Sequence, residues 1–123
     1  MDRFDWSPSE KKAARIAFDK AARREESVIA AEVQRRCAAA DEPQWMWRLH
    51  DYLDEQRREF DRKYDYRYSV LPLLFVRLRR EGWLEQSDLA GLAEEKRLRI
   101  EELVRVSQQM EAQGRNLEED PAA

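Results

Sequence analysis

A few clear helix-start signals divide this chain into long segments that glycine and proline hardly interrupt. Ser7-Pro8-Ser9-Glu10 combines an N-cap hydroxyl, a proline at the first helical position and a glutamate three residues after the cap. The 123 residues include only 3 Gly and 4 Pro, and 40% of them are charged. This mixture is typical of long helices, so we expect an all-α fold within a single domain.

The first helix is predicted to begin at Pro8 and to have a weak apolar face. Glu25, Glu32 and Arg36 fall within or beside that face, so the helix cannot bury much against its own small domain. It is better explained as one rod of an antiparallel pair or as a contact between chains. The narrow, alanine-rich stripe consists of Ala14, Phe18, Ala21, Ala22, Ile29 and Val33.

A second helix is predicted to begin at Asp41-Glu42-Pro43-Gln44, with Asp41 as the cap and Gln44 at the capping-box position. It has an apolar stripe that we expect to face the core, and Trp47 lies outside that stripe on the polar side. The stripe consists of Met46, Leu49, Leu53, Phe60 and Tyr64.

Trp47 shares one edge of this helix with His50, Asp54 and Arg57, at spacings of 3, 4 and 3 residues. One interpretation is an edge aromatic that covers the core of its own chain. The other is an anchor in a protein interface, because Trp and Arg are the side chains that most often dominate binding energy. The edge is therefore the candidate contact site.

The second half of the chain is predicted to form a small helical head. The helix should break near residues 65–69, and a third helix over about 70–80, with Ser69 as its cap, should be the buried centre of the head. Gly82 is the expected left-handed cap. A fourth helix should begin at Ser87-Asp88 and pack on the third. The polar tail from about residue 108 to 123 should be frayed.

Chemical motifs are absent from the sequence. The single histidine, His50, and the single cysteine, Cys37, cannot provide a zinc-spaced ligand set. Nothing in the sequence places a nucleophile beside a base, and no glycine-rich phosphate loop occurs. We therefore expect no enzyme, no metal and no cofactor.

Charge and hydropathy argue against nucleic acid and membrane partners. The formal net charge is −3, and the excess of basic residues over 55–80 is followed by 11 acidic residues against 5 basic ones over 81–123. The longest apolar run, Val70 to Val76, is far shorter than the roughly 20 residues that a membrane-spanning helix needs. The chain also starts without a secretory leader, so we expect a cytoplasmic protein.

The strings around the candidate site resemble the fluorescence recovery protein family over roughly residues 45–104. The resemblance is specific because the strings fall in the right order at workable separations. They are Trp47-Arg48-Leu49-His50-Asp51-Tyr52-Leu53, Arg57, Asp61-Arg62-Lys63-Tyr64-Asp65-Tyr66-Arg67-Tyr68-Ser69-Val70, Arg80-Glu81-Gly82-Trp83-Leu84 and Asp88-Leu89-Ala90-Gly91-Leu92.

The resemblance implies a homodimer with a stalk of long antiparallel helices, residues 7–68, and a C-terminal helical head, residues 69–107. It implies a non-enzymatic regulator that binds the C-terminal domain of the photoactivated orange carotenoid protein. Such a regulator speeds the return of that protein to its orange form and its release from the phycobilisome at the thylakoid surface.

The resemblance also implies which residues make contacts. The family's functional surface near the dimer interface corresponds to Trp47, His50, Asp51 and Arg57, and a second contact region corresponds to Leu73 and Arg99. A second hypothesis keeps the dimeric fold and changes the partner. The heavy use of Arg and Ala is compatible with a bacterium without phycobilisomes, in which a helical adaptor would serve an unrelated protein.

Overall fold

The computed structural model describes residues 5–119, with side chains described as far as residue 116. Within residues 5–119 the chain is helical and contains no strand, which confirms the all-α prediction. The elements, in chain order, are α1 (Pro8–Ala38), α2 (Trp45–Lys63), α3 (Leu71–Glu81), a 3₁₀ turn (Gln86–Leu89) and α4 (Glu94–Glu119).

Helix α1 begins at Pro8, as its sequence signal predicts. The Glu10 amide donates to Ser7 Oγ and the Ser7 amide donates to Glu10 Oε1, each at 3.2 Å, so the capping box is complete. The first half of α1 is buried in the head through Ala14, Phe18 and neighbouring alanines. The head core therefore includes residues that the sequence assigned to the stalk.

Helix α2 differs from its prediction at its start and on its apolar face. It begins at Trp45 after Gln44 and has no side-chain cap, so the prediction of Asp41 as cap is wrong. The prediction of a core stripe is confirmed at Tyr64, which follows α2 and packs against the core, but it is wrong for the helix itself, because α2 has no buried residue and Met46 and Leu53 are exposed. The physical reason is that α2 packs mainly on one helix, α1, and has little contact with the other helices.

Helix α3 is the buried centre of the head, as predicted, with Leu71, Phe75 and Leu78 fully covered. It begins at Leu71 without a side-chain cap, so the predicted capping role of Ser69 is wrong. At the other end Gly82 has φ of 86°, a left-handed conformation that glycine adopts without steric cost.

Helix α4 packs on α3 as predicted, but it begins at Glu94, because residues 86–89 form the 3₁₀ turn instead. Its start is capped from a distant part of the chain. The Ala93 amide donates to Glu10 Oε2 at 3.0 Å, and Lys96 Nζ lies 3.0 and 2.9 Å from the two Glu10 oxygens. The Ala93 amide first, and then Lys96, lower the pKa of Glu10 from 4.5 to about 2.

The structure is helical through Glu119, where the sequence predicted a frayed tail from residue 108. Residues 120–123, the rest of that predicted tail, lie outside the described residues. The described side chains from 108 to 116 are all exposed, which agrees with the polar character of the segment.

Gly91, in the turn before α4, lies close to Ala13 of α1. A Cβ at Gly91 would lie 2.5 Å from the Cβ of Ala13, whereas a Cβ at Gly114 in α4 would meet nothing within 4 Å. We expect Gly91→Ala to lower the free energy of unfolding by about 1–3 kcal/mol through overpacking. The control Gly114→Ala should raise it by about 0.5–1 kcal/mol. Urea unfolding measures both, and equal effects would contradict the close contact.

The Glu10 carboxylate should give the stability of the protein a specific pH dependence. Its folded-state pKa of about 2 lies below the ordinary 4.5, so its contribution is complete above about pH 4.5 and is lost as the pH falls towards 2. At neutral pH, Glu10→Gln should lower the free energy of unfolding by about 1–3 kcal/mol.

Denaturant unfolding of both proteins from pH 7 to pH 3 tests this prediction. The difference in stability between wild type and variant should shrink below about pH 4.5. The comparison isolates Glu10, since other carboxylates with lowered pKa values titrate in both proteins. A difference that stays constant over this range would refute the assignment.

Candidate protein-interaction site

The predicted edge of α2 is exposed along its length. The Trp47 residue is 67% exposed, so it does not cover the core of its own chain. His50 Nδ1 lies 3.4 Å from Asp51 Oδ1, which brings these two predicted site residues into contact. Four predicted site residues therefore share one accessible edge with Trp47, namely His50, Asp51, Asp54 and Arg57.

The charged residues of this edge form ion pairs within α2. Arg57 Nε donates to Asp61 Oδ2 at 2.9 Å, and Arg58 donates to Asp54 Oδ2 at 2.8 Å. Exposed pairs one helical turn apart contribute little to stability, so they can exchange partners at small cost. Arg57 and Asp54 are thus available for carboxylates or guanidinium groups on another surface.

A groove between α1 and α2 lies beside this edge. It has a volume of about 800 Å³, and Arg57 and Asp61 line it together with apolar side chains. Sequence reasoning identified the two apolar stripes but missed the groove, since it assigned the α2 stripe to a core. The apolar lining consists of Ile29, Ala30, Val33, Leu53 and Phe60.

Near the C-terminal end of α1, Arg36 lies over the ring of Tyr52 of α2, 4.0 Å from the centroid of the ring. Arg36 is oriented by Glu32, whose carboxylate also accepts from Arg35. Hydrogen bonds from Arg35 and then Arg36 lower the pKa of Glu32 to about 2. This contact positions the first half of α2, the part that carries Trp47.

The other two predicted site residues lie in the head. Leu73 on α3 is 68% exposed, and Arg99 on α4 is exposed as well. The predicted site is therefore divided between an edge of α2 and two helices of the head. A bidentate pair fixes α3 against α4, because Arg79 donates to both carboxylate oxygens of Glu101 at 2.7 Å.

The part of the chain that the structure describes contains no cluster of three or more His, Cys, Asp or Glu side chains able to hold a metal ion. Over the same residues, no helix has the length and apolar character that crossing a membrane requires.

A helical hairpin with an exposed aromatic and charged edge, joined to a small head, is typical of a helical protein-binding module. Comparison with known proteins identifies which one. A sequence model described as photoprotection regulator fluorescence recovery protein matches residues 6–104. The chain therefore belongs to the fluorescence recovery protein family, as its sequence strings predict.

Individual relatives agree with this assignment. The fluorescence recovery protein of Synechocystis sp. is 37% identical over 101 residues, which cover 82% of this chain and 93% of the relative. The solved structure of the Fremyella diplosiphon protein is 40% identical, with a TM-score of 0.74, and covers 82% of this chain and 99% of that one. The Synechocystis structure gives the same TM-score and coverage at 37% identity.

Proposed function

We propose that this protein is a non-enzymatic regulator of the orange carotenoid protein. It binds the photoactivated form through the C-terminal domain of that partner and accelerates its reversion to the inactive orange form. It thereby promotes release from the phycobilisome and ends energy quenching. Its place of action is the cytoplasm, at phycobilisomes on the thylakoid surface.

The observation that carries this proposal is the exposed edge of α2 in a chain that belongs to a photoprotection regulator family. Trp47 supplies a large apolar surface, and Arg57 supplies a planar donor for a carboxylate. Such residues dominate the binding energy of protein interfaces. Leu73 and Arg99 in the head form the second contact region with the same partner.

A binding protein can act in this way without chemistry of its own. It accelerates a conformational change only if it binds the transition state more tightly than the starting state. A difference in binding free energy of about 1.4 kcal/mol corresponds to a tenfold change in rate. Exposed side chains on a preorganised helical surface can supply a difference of this size.

The proposed active unit is a homodimer whose stalks meet along the α1–α2 groove. The groove presents a row of apolar side chains, and α2 has no buried residue within its own chain. A second copy of the hairpin would cover both features. Trp47, His50, Asp51, Asp54 and Arg57 then lie beside the dimer interface, where each can contact the second copy or the client.

The dimer proposal predicts the effect of a charge in the groove. Leu53→Glu should convert the dimer to monomers, because the new charge would have to lose its water among the apolar side chains that line the groove. The same substitution at exposed Leu73 in the head, Leu73→Glu, should leave the mass unchanged. Light scattering coupled to size-exclusion chromatography measures both. Monomeric wild type, or a dimeric Leu53→Glu variant, would refute this interface.

The function is tested by the dark decay of photoactivated orange carotenoid protein, followed by absorbance with and without this protein. We expect clear acceleration by the wild type. Trp47→Ala and Arg57→Leu should each reduce it by about tenfold or more, as expected for interface hot spots. The mass of each variant shows whether the loss reflects dissociation of the dimer or loss of client contact.

Matched controls are available on the same helix. Trp45→Ala removes a half-buried tryptophan two residues before Trp47, and Arg62→Leu removes an exposed arginine five residues after Arg57. Both should retain acceleration near the wild-type level. No acceleration by a folded wild-type dimer would reject the proposed client and favour a helical adaptor for another protein.

A further inference from the structure

Lys63, the last residue of α2, is the one charged residue of that helix that is not exposed, with its side chain 6% accessible. Its Nζ donates to Glu25 Oε1 of α1 at 2.6 Å and also to Glu81 Oε1 of α3. One ammonium group therefore connects α1, α2 and α3, through carboxylates that are 38 and 18 residues from Lys63 in the sequence.

Both carboxylates are held by further donors. The Tyr64 hydroxyl donates to Glu25 Oε1 at 2.8 Å, and Arg77 Nε donates to Glu81 Oε2 at 2.8 Å. Burial alone would raise the pKa of Glu81, but the hydrogen bonds from Lys63 and Arg77 hold it below its ordinary value. Glu81 is thus ionised at neutral pH and attracts the ammonium group.

The connection matters because the other attachment of α2 to the head is at the same end of the helix, where Phe60 packs on Tyr64 and Tyr64 packs on Phe18. Apart from the covered side chain of Lys63, the residues of the helix are exposed or half-buried, and the helix packs on α1 without comparable packing on α3. A cleft of about 360 Å³ lies where α2 meets the head, and Lys63 and Glu81 line it. Removing the lysine would leave the Glu25 carboxylate without this cation and close to Glu81, which keeps its pair with Arg77, and the loss of a cation is costly at a covered site.

We propose that Lys63 is a positioning residue that holds α2, with Trp47 and Arg57, in a fixed place relative to the head, with Leu73 and Arg99. The proposal rests on the proposed function, since it assumes that both regions contact the same client. Two contact regions on one rigid body bind together more tightly, because the second contact needs little further ordering.

Pulsed paramagnetic resonance distances between spin labels test the positioning directly. Labels are placed at Glu55→Cys on α2 and Ala90→Cys in the head, two exposed positions, in a Cys37→Ser background. An excess of unlabelled protein ensures that a dimer rarely carries labels on both chains, so the measured distances are between the two labels of one chain. We expect a narrow distance distribution for the parent protein and a broad one for Lys63→Met.

The matched control is Lys20→Met, which removes a more exposed lysine that pairs with Asp88 in the head. It should leave the distribution narrow. If Lys63→Met does not fold, Glu81→Gln weakens the same connection from the α3 side and should also broaden the distribution. A narrow distribution in the folded variants would overturn the proposal.

The client assay supplies the second readout. Lys63→Met should weaken client binding by about tenfold without changing the dimer mass, through loss of preorganisation. If Lys63→Met has a broadened distance distribution but still binds and accelerates the client fully, the proposed role of Lys63 in client binding is overturned. If the parent protein itself does not accelerate recovery, the proposed function fails, whereas the distance distributions still decide whether Lys63 holds α2.

Discussion

The Glu10 carboxylate joins the beginning of α1 to the beginning of α4. It accepts from the amides of Ser7 and Ala93 and pairs with Lys96, which is buried beside it. These bonds fix the first half of α1 inside the head, where its small alanines allow close packing against the head core. Because α1 is one continuous helix, its second half must then project from the head, and it forms the support on which α2 lies.

The exposed site follows from what this arrangement leaves uncovered. The projecting half of α1 offers α2 only a short apolar surface around Ile29, Ala30 and Val33, so α2 keeps Trp47, Met46 and Leu53 accessible. An exposed tryptophan beside apolar side chains is costly for an isolated protein and useful at an interface. The cation–π contact of Arg36 with Tyr52 near one end of α2, and the pairs of Lys63 at the other, hold the helix where burial does not.

Local signals in the sequence were sufficient for the all-α class, the start of α1 and the left-handed end of α3, because each depends on residues within one turn. The starts of α2 and α4 were not predictable in this way. Helix α4 is capped by Glu10, which is 83 residues from Ala93, and no local pattern reveals this partner. The helical wheel correctly grouped the apolar residues of α2 but could not tell what covers them. The Lys63 connection was missed because Glu25 is 38 residues away.

The family match ends at residue 104, and Val104 is the last residue buried in the head among the side chains of α4 described as far as residue 116. The shared part of the chain is therefore the part that builds the head core and the α1–α2 hairpin and carries both proposed contact regions. Beyond it, α4 carries exposed Val106 and Met110, and the pair of Arg80 with Glu111 ties it to α3. Residues 6–104, which match the family, include both Trp47 of α2 and Leu73 of α3.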